Sequence, residues 1–213
     1  MTNETMKKLA IVGASGHGKV IAELAETLGY SVSFYDDAYP SIVCVEHWDI
    51  KGTFEDLLCL NREEITVFVA IGSNHIRELK VQVLNEKKFI LATLIHPAAS
   101  VSAYAVLDNA SAILAGAVIN AFATIGMGCI INTGAIVEHD CTVSDFAHIS
   151  PNAALAGGVT IGKRSWIGIG ANINQLLEIG NDSVIGAGST VVKSIGSNVI
   201  AFGSPAITIK KNT

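Results

Sequence analysis

The feature that most limits what this chain can become is a beat of six. Stepping from Val101 in sixes gives Leu107, Ile113, Ile119, Ile125, Ile131, Val137, Val143, Ile149, Leu155, Ile161, Ile167, Ile173, Ile179, Ile185 and Val191, sixteen aliphatic residues without a break. With about a quarter of positions aliphatic in an average chain, chance does not produce such a run. A second register follows four residues later, where thirteen of the fifteen positions from Ala105 to Ser189 are Ala, Ser or Cys. A helix would carry a six-residue beat around its surface, and a flat strand repeats every two. Six residues therefore spell one short strand and a bend. Three such units close a triangular coil, and stacked coils make a parallel β-solenoid with the aliphatic residues inside and the small residues at inward-facing corners. Coils stack at about 4.8 Å, and about five of them fit with no room for a long insertion.

Residues 7–96 keep other periods. Residues 8–12 read as a buried strand, 13–18 (GASGHG) as a Gly-rich turn, and 19–28 as a helix with Val20, Ile21, Leu24 and Leu28 on one face. Strands are expected at 31–35, 66–71 and 89–95, and helices at 54–60 and 75–87. This alternation predicts a small Rossmann-like parallel α/β domain over 1–96, with the solenoid and a short C-terminal cap over 97–213 and His96-Pro97 at the hand-over.

The net charge of −5, with scattered Lys and Arg, gives no footprint for nucleic acid or an anionic membrane. No apolar stretch reaches transmembrane length, and the first residues lack a signal-peptide pattern, so a cytoplasmic protein is expected. The four cysteines have no zinc-ribbon spacing; Cys129 and Cys141 fall in the small-residue register and are expected to point inward.

Two places carry chemistry. A Gly-rich turn leading into a helix presents N–H groups and a helix N-terminus to phosphate oxygens. Asp36 and Asp37 follow at the end of the second strand, where a carboxylate accepts from ribose hydroxyls or a base N–H, and residues 70–74 close the same crevice. In the solenoid, His139 stands two places after Val137 at a corner, and His148 five places after Val143 on an outward face. Neither is interior. Asp140 or Glu138 beside His139 would fix its tautomer and raise its basicity, as a general base requires.

These features together, with the runs Ile131-Asn-Thr, Val137-Glu-His-Asp140 and Phe202-Gly-Ser-Pro-Ala206, resemble the bacterial sugar acetyltransferases that join a small nucleotide-binding domain to a left-handed β-helix. The likeness is to the UDP-4-amino-sugar N-acetyltransferases of bacillosamine synthesis, with sialic acid O-acetyltransferases and GDP-perosamine N-acetyltransferases as relatives. The resemblance implies acetyl-CoA as co-substrate, no metal, a UDP-linked amino sugar as acceptor, and a homotrimer with active sites between neighbouring β-helices. It makes His139 the general base and Asp140 its orienting acid. It puts Ser15, Gly16 and His17 on the diphosphate, Asp36 and Asp37 on the uridine, and Gly72 in the same site. It places His148 and the backbone at Gly157, Ile169 and Ala187 against acetyl-CoA.

Other readings are O-acetylation of a sialic-acid-type sugar, zinc-dependent hydration of carbon dioxide, an NAD-dependent oxidoreductase, and a nucleotide sensor on a trimerising stalk. Zinc would need three converging histidines, and the solenoid after position 97 holds two. Ninety residues are too few for a full dinucleotide fold with a substrate domain.

Overall fold

The computed structural model describes residues 7–212. These form two compact units, one ending at Leu94 and the other beginning at Ile95. No helix among the described residues is long and apolar enough to cross a membrane.

The N-terminal unit is built on β1 (Lys7–Val12), α1 (Gly16–Thr27), β2 (Tyr30–Tyr35), β3 (Cys44–Val45), β4 (Trp48–Gly52), α2 (Phe54–Leu58), β5 (Thr66–Val69), α3 (Asn74–Glu86) and β6 (Ile90–Leu91). Its sheet has the order β3-β4-β2-β1-β5-β6, parallel apart from the β3–β4 hairpin. Because β1 is flanked by β2 on one side and β5 on the other, the order reverses at β1. A crevice opens there at the carboxyl ends of the strands.

Three expectations need correction. Helix α1 starts three residues earlier than its apolar period suggests, with Ser15 as N-cap, because Gly18 lets it lie against the β1 turn: a Cβ at Gly18 would stand 2.2 Å from the Gly13 carbonyl oxygen. Its buried face is accordingly Gly18, Ile21, Ala22, Leu24 and Ala25, while Val20 and Leu28 are exposed. The apolar run at 89–95 is two strands, not one. It follows β5 as far as the Ala92 N–H, which donates to the Val67 carbonyl, and residues Leu94–Ile95 then pair as the first strand of the solenoid. Hydrophobicity marks extension but not the partner. The β3–β4 hairpin was not expected at all, since its polar residues alternate without a strong apolar face.

The second unit is the solenoid that the six-residue beat predicts, a left-handed parallel β-helix. Two-residue strands recur every six residues from Ser100–Val101 to Thr190–Val191, and each as far as Asn172–Ile173 pairs in parallel with the strand eighteen residues on, as Ile130↔His148 and Ile131↔Ile149 do. They form three faces. The first face carries Ala112–Ile113, Ile130–Ile131, His148–Ile149, Trp166–Ile167 and Val184–Ile185, and is continued by an antiparallel hairpin, Val199–Gly203 and Ala206–Lys211. The second runs from Ser100–Val101 to Thr190–Val191, and the third from Val106–Leu107 to Glu178–Ile179.

The second residue of each strand points inward, and from Ile113 to Val191 these are essentially fully buried. Each contributes about 1.5–3 kcal/mol of apolar burial. From Ser111 on, the Ala, Ser and Cys residues of the small register are buried too, Cys129 and Cys141 included. A serine there also knits coils together: Ser111 Oγ donates to the Gly126 carbonyl at 2.9 Å and accepts from the Cys129 N–H at 3.0 Å.

The corners follow a third register. Every sixth residue from Ala110 to Gly188 has positive φ, among them Phe122, Asp140, Asn152, Gly158, Leu176 and Asp182. This left-handed conformation turns the N–H toward the preceding coil. The Asp140 N–H meets the Ala121 carbonyl at 3.1 Å, and the Gly158 N–H the His139 carbonyl at 2.9 Å. From Gly128 to Gly188 such a ladder hydrogen bond at each corner offsets the steric cost of about 1–2 kcal/mol at the non-glycine positions.

Candidate active site

The crevice of the N-terminal unit is a cleft of about 190 Å³ walled by Val12, Gly13, Ser15, Tyr35, Asp36, Asp37, Ile71, Gly72 and Lys80. Gly13, at φ +105, donates its N–H to the Tyr35 carbonyl and folds the loop over the sheet edge. Asp36 then fastens that loop, its Oδ2 accepting from the Ala14 N–H at 2.7 Å and its Oδ1 from the Ala38 N–H at 2.9 Å. Asp37 accepts from the Phe54 N–H at 3.1 Å and from Lys80 Nζ at 3.0 Å. The Phe54 N–H first, with help from Lys80, holds the Asp37 carboxyl below the usual carboxylate range. Both carboxylates keep lone pairs for a ligand, but each also has a structural task that sequence alone does not show.

The Ile71–Gly72 loop is held from within. Arg77, only 1 % exposed, donates to the carbonyls of Ile71 (2.9 Å) and Gly72 (3.3 Å) and to Asn74 Oδ1 (2.8 Å). A buried guanidinium with this many acceptors fixes a loop whose backbone would otherwise be free. A Cβ at Gly16 or Gly72 would meet nothing within 4 Å. Packing does not require glycine at either place, and the open space over both loops is what a ligand lying against backbone needs.

Ser15 lines the cleft, whereas Gly16 and His17 follow it in the first turn of α1. The His17 Nε2 is buried and has no hydrogen-bond partner among the described residues. Burial, and then the Arg77 charge, lower its pKa to about 4, so the ring is neutral near pH 7.

In the solenoid, His139 lies in the turn between the second and third faces. Its Nδ1 is 2.8 Å from Asp140 Oδ2. Because a carboxylate only accepts, Nδ1 carries the hydrogen and Nε2 presents a lone pair. The Asp140 hydrogen bond raises the His139 pKa, with smaller contributions from the charges of Asp140 and Glu138. Glu138 bonds instead to the His139 backbone N–H, at 3.4 Å, so Asp140 is the carboxylate that orients the ring.

One coil further on, Gly157 seats the imidazole. A Cβ there would stand 2.5 Å from His139 Cε1 and 2.6 Å from Nε2, so the ring occupies the space a side chain would take. The same corner carries exposed apolar residues at the neighbouring coils: Phe122, which stacks on Tyr104 at 5.5 Å, and Leu176, which is 78 % exposed.

His148 stands on the first face. Its Nε2 is 3.1 Å from Asn132 Nδ2, and its ring lies parallel to that of Trp166 at 5.5 Å, while Trp166 Nε1 donates to Ser150 Oγ at 2.7 Å. Ile169 and Ala187 occupy the next corner, one coil apart, both exposed, with the Ile169 carbonyl accepting from the Gly188 N–H.

The structure therefore brings His139, Asp140 and Gly157 to one corner, and puts His148, Ile169 and Ala187 on or beside the first face. It does not bring the two groups together. In a triangular coil the corner between the second and third faces is opposite the first face, so the core separates His139 from His148 within one chain. The larger hollows of the solenoid, about 510 and 460 Å³, lie along the third face and are walled by neither histidine. Among the described residues, no group of three or more His, Cys, Asp or Glu stands together to hold a metal ion. Trp166, Arg77 and Lys80 were not singled out from sequence, and Asn132 entered only within the run Ile131-Asn-Thr. Asn132 and Trp166 were legible, lying in the outward neighbourhood of His148 sixteen residues before and eighteen after; Arg77 and Lys80 carried no signal beyond a helical period.

Residues 8–84 match the family described as the PglD N-terminal domain. The UDP-N-acetylbacillosamine N-acetyltransferase of Bacillus subtilis (strain 168) is 40 % identical over 114 residues, 52 % of each chain, so the match spans about half the length of that curated relative. The acetyltransferase domain of PglB from Neisseria gonorrhoeae, solved in complex with acetyl coenzyme A, superposes with a TM-score of 0.92 at 39 % identity, covering 96 % of this chain and 100 % of that one. A mutant of perosamine N-acetyltransferase from Caulobacter crescentus, solved with CoA and GDP-perosamine, gives 0.92 at 35 % identity, covering 96 % and 97 %.

Proposed function

Because the chain belongs to the hexapeptide-repeat sugar acetyltransferases that pair a small α/β domain with a left-handed β-helix, we propose that it transfers the acetyl group of acetyl-CoA to the 4-amino group of a UDP-linked amino-dideoxy sugar. The observation that carries this reading is the 2.8 Å bond between His139 Nδ1 and Asp140 Oδ2 at an outward corner. It leaves a basic Nε2 facing outward, with a carboxylate behind it.

In the reaction, Nε2 takes a proton from the sugar amine as the nitrogen adds to the thioester carbonyl. The C–N bond forms, the tetrahedral adduct collapses with cleavage of the C–S bond, and the imidazolium returns its proton to the departing CoA thiolate. Asp140 keeps the ring in the required tautomer and stabilises the imidazolium. A backbone N–H or His148 stabilises the oxyanion. No acyl-enzyme is needed, and Cys129 and Cys141 are buried away from any acceptor.

On this reading Ser15, Gly16 and His17 face the diphosphate, Asp36 and Asp37 the base and ribose, and Gly72 the same cleft. His148, with the backbone at Gly157, Ile169 and Ala187, faces acetyl-CoA. Since His139 and His148 stand on opposite sides of one coil, they meet one substrate only when the corner of one copy docks on the first face of another. Repeating that head-to-tail contact around a three-fold axis gives a closed trimer. The exposed Tyr104, Phe122 and Leu176 beside His139 suit such a covered corner. A cytoplasmic setting agrees with the free thiols of the exposed Cys44 and Cys59.

Incubation with acetyl-CoA and a panel of UDP-, GDP- and CMP-linked amino and hydroxy sugars, with free thiol as readout, tests the assignment. Thiol release is expected with the UDP-linked 4-amino sugar and not with its 4-hydroxy counterpart. Release with hydroxy sugars alone would make the enzyme an O-acetyltransferase, and no release with any acceptor would refute the transferase reading.

A further inference from the structure

The walls of the N-terminal cleft hold two carboxylates, Asp36 and Asp37, and one cation, Lys80. A nucleoside diphosphate brings negative charge into this acidic setting, so something must compensate it. The N-terminus of α1 and the N–H groups of Ser15 and Gly16 supply dipoles but no net charge. His17 is neutral near pH 7, and the guanidinium of Arg77 is committed to the Ile71 and Gly72 carbonyls beneath the loop.

Lys80 is placed differently from an ordinary surface lysine. Its side chain is 23 % exposed, its Nζ lies 3.9 Å from the centre of the Phe54 ring, and it donates to Asp37 Oδ2 at 3.0 Å. The ring contact positions the stem, and the ammonium has three donors, of which Asp37 takes one. Asp37 itself is 64 % exposed. An ion pair this open to water is worth little, so exchanging or sharing its partner costs little.

We propose that Lys80 is the diphosphate-recognising cation of this cleft, paired with Asp37 in the unliganded protein and turned to a phosphate oxygen when the nucleotide enters. The proposal rests on the reading of the cleft as a nucleotide-sugar site, and it adds the residue that distinguishes a charged nucleotide from a neutral nucleoside. Asp37, released from Lys80 but still held by the Phe54 N–H, then turns its free oxygen to a ribose hydroxyl or base N–H.

The test is calorimetric titration of the full chain with UDP and with uridine, repeated for Lys80→Met and Lys80→Arg. The Met variant should bind UDP about 10–100-fold more weakly, the range of a hydrogen bond to a charged group, with uridine affinity unchanged. Lys80→Arg should keep most of the UDP affinity, and the wild-type preference for UDP over uridine should shrink as salt rises. Equal weakening for UDP and uridine, or no weakening for either, would overturn the role of Lys80 while leaving the cleft as a nucleotide site. If wild-type protein binds neither ligand, the proposal falls together with that reading. Unchanged melting temperatures of both variants show that the comparison reports on the cleft.

Discussion

His139→Ala lowers kcat by about 10²–10⁴-fold, the contribution of a positioned general base, and leaves the solenoid intact. The fold is spared because the side chain is 62 % exposed and belongs to a corner held by backbone bonds, the Gly158 N–H to the His139 carbonyl and the Asp140 N–H to the Ala121 carbonyl. Circular dichroism and the melting temperature should therefore match wild type while turnover collapses. The pH profile gives the same residue a second signature. In the proposed mechanism His139 works as neutral imidazole, and its Asp140 hydrogen bond raises its pKa above the ordinary histidine value. Activity is thus lost as pH falls through that raised value. Asp140→Asn removes the carboxylate, lets the pKa fall, and moves the acid limb of kcat to lower pH, while the plateau rate drops because the tautomer is no longer fixed. An acid limb that stays in place in Asp140→Asn would show that another group titrates.

Gly157→Ala produces the second large loss, from a residue that contributes no side chain. The backbone at Gly157 has no positive φ, so alanine fits the chain, but its Cβ would lie 2.5 Å from His139 Cε1. Real Cβ atoms do not approach this closely, and the exposed imidazole is the part free to move. Turning it away breaks the 2.8 Å bond to Asp140 and displaces Nε2 by the order of an ångström, a misplacement that costs about 10²-fold in rate. Because the alanine acts through the histidine, Gly157→Ala combined with His139→Ala should be no slower than His139→Ala alone. Additive losses in the double variant would mean that Gly157 acts on acetyl-CoA through its backbone and not through the ring it seats.

Gly157 also shows where sequence reading stops. The inward residues of the solenoid could be read in advance, because burial imposes the same demand at every sixth position and Ile, Leu and Val alone meet it. The left-handed corners impose an equally strict six-residue demand, yet no one residue type marks it. Gly116, Gly128, Gly134, Gly158, Gly170 and Gly188 share that register with Ala110, Phe122, Phe146, Arg164 and Leu176, and at Phe146, Arg164 and Leu176 a ladder hydrogen bond offsets the cost of positive φ. A backbone requirement met by so many residue types leaves only a diluted signature. His139 and Asp140 stood out as polar residues in an otherwise bland repeat, but the choice of Asp140 over Glu138 needed coordinates. Ring nitrogen and carboxylate are brought together by the turn at Asp140, φ +61, which adjacency in sequence does not specify.

The N-terminal unit was legible in outline and less so in detail. The strands that meet at β1 were evident from apolar runs bounded by Gly and Asp. The structural duties of Asp36 and Asp37, and the placement of Arg77 and Lys80 on α3, depend on side-chain geometry across the crevice. A helical period at 75–87 says that Arg77 and Lys80 lie near one another on the helix, not that one holds the loop from below and the other reaches the cleft wall.

The proposed trimer takes the base from one chain and the acetyl-CoA face from another. It is tested most directly by mixing two variants, His139→Ala and His148→Ala, each weak by itself, unfolding and refolding them together at equal amounts, and measuring CoA release with the nucleotide-sugar acceptor. A random trimer of the two variants places an intact corner against an intact face at about one site in four, so the mixture should recover about a quarter of wild-type turnover. A mixture no more active than the variants refolded separately would place His139 and His148 in the same chain's site and rule out a shared one.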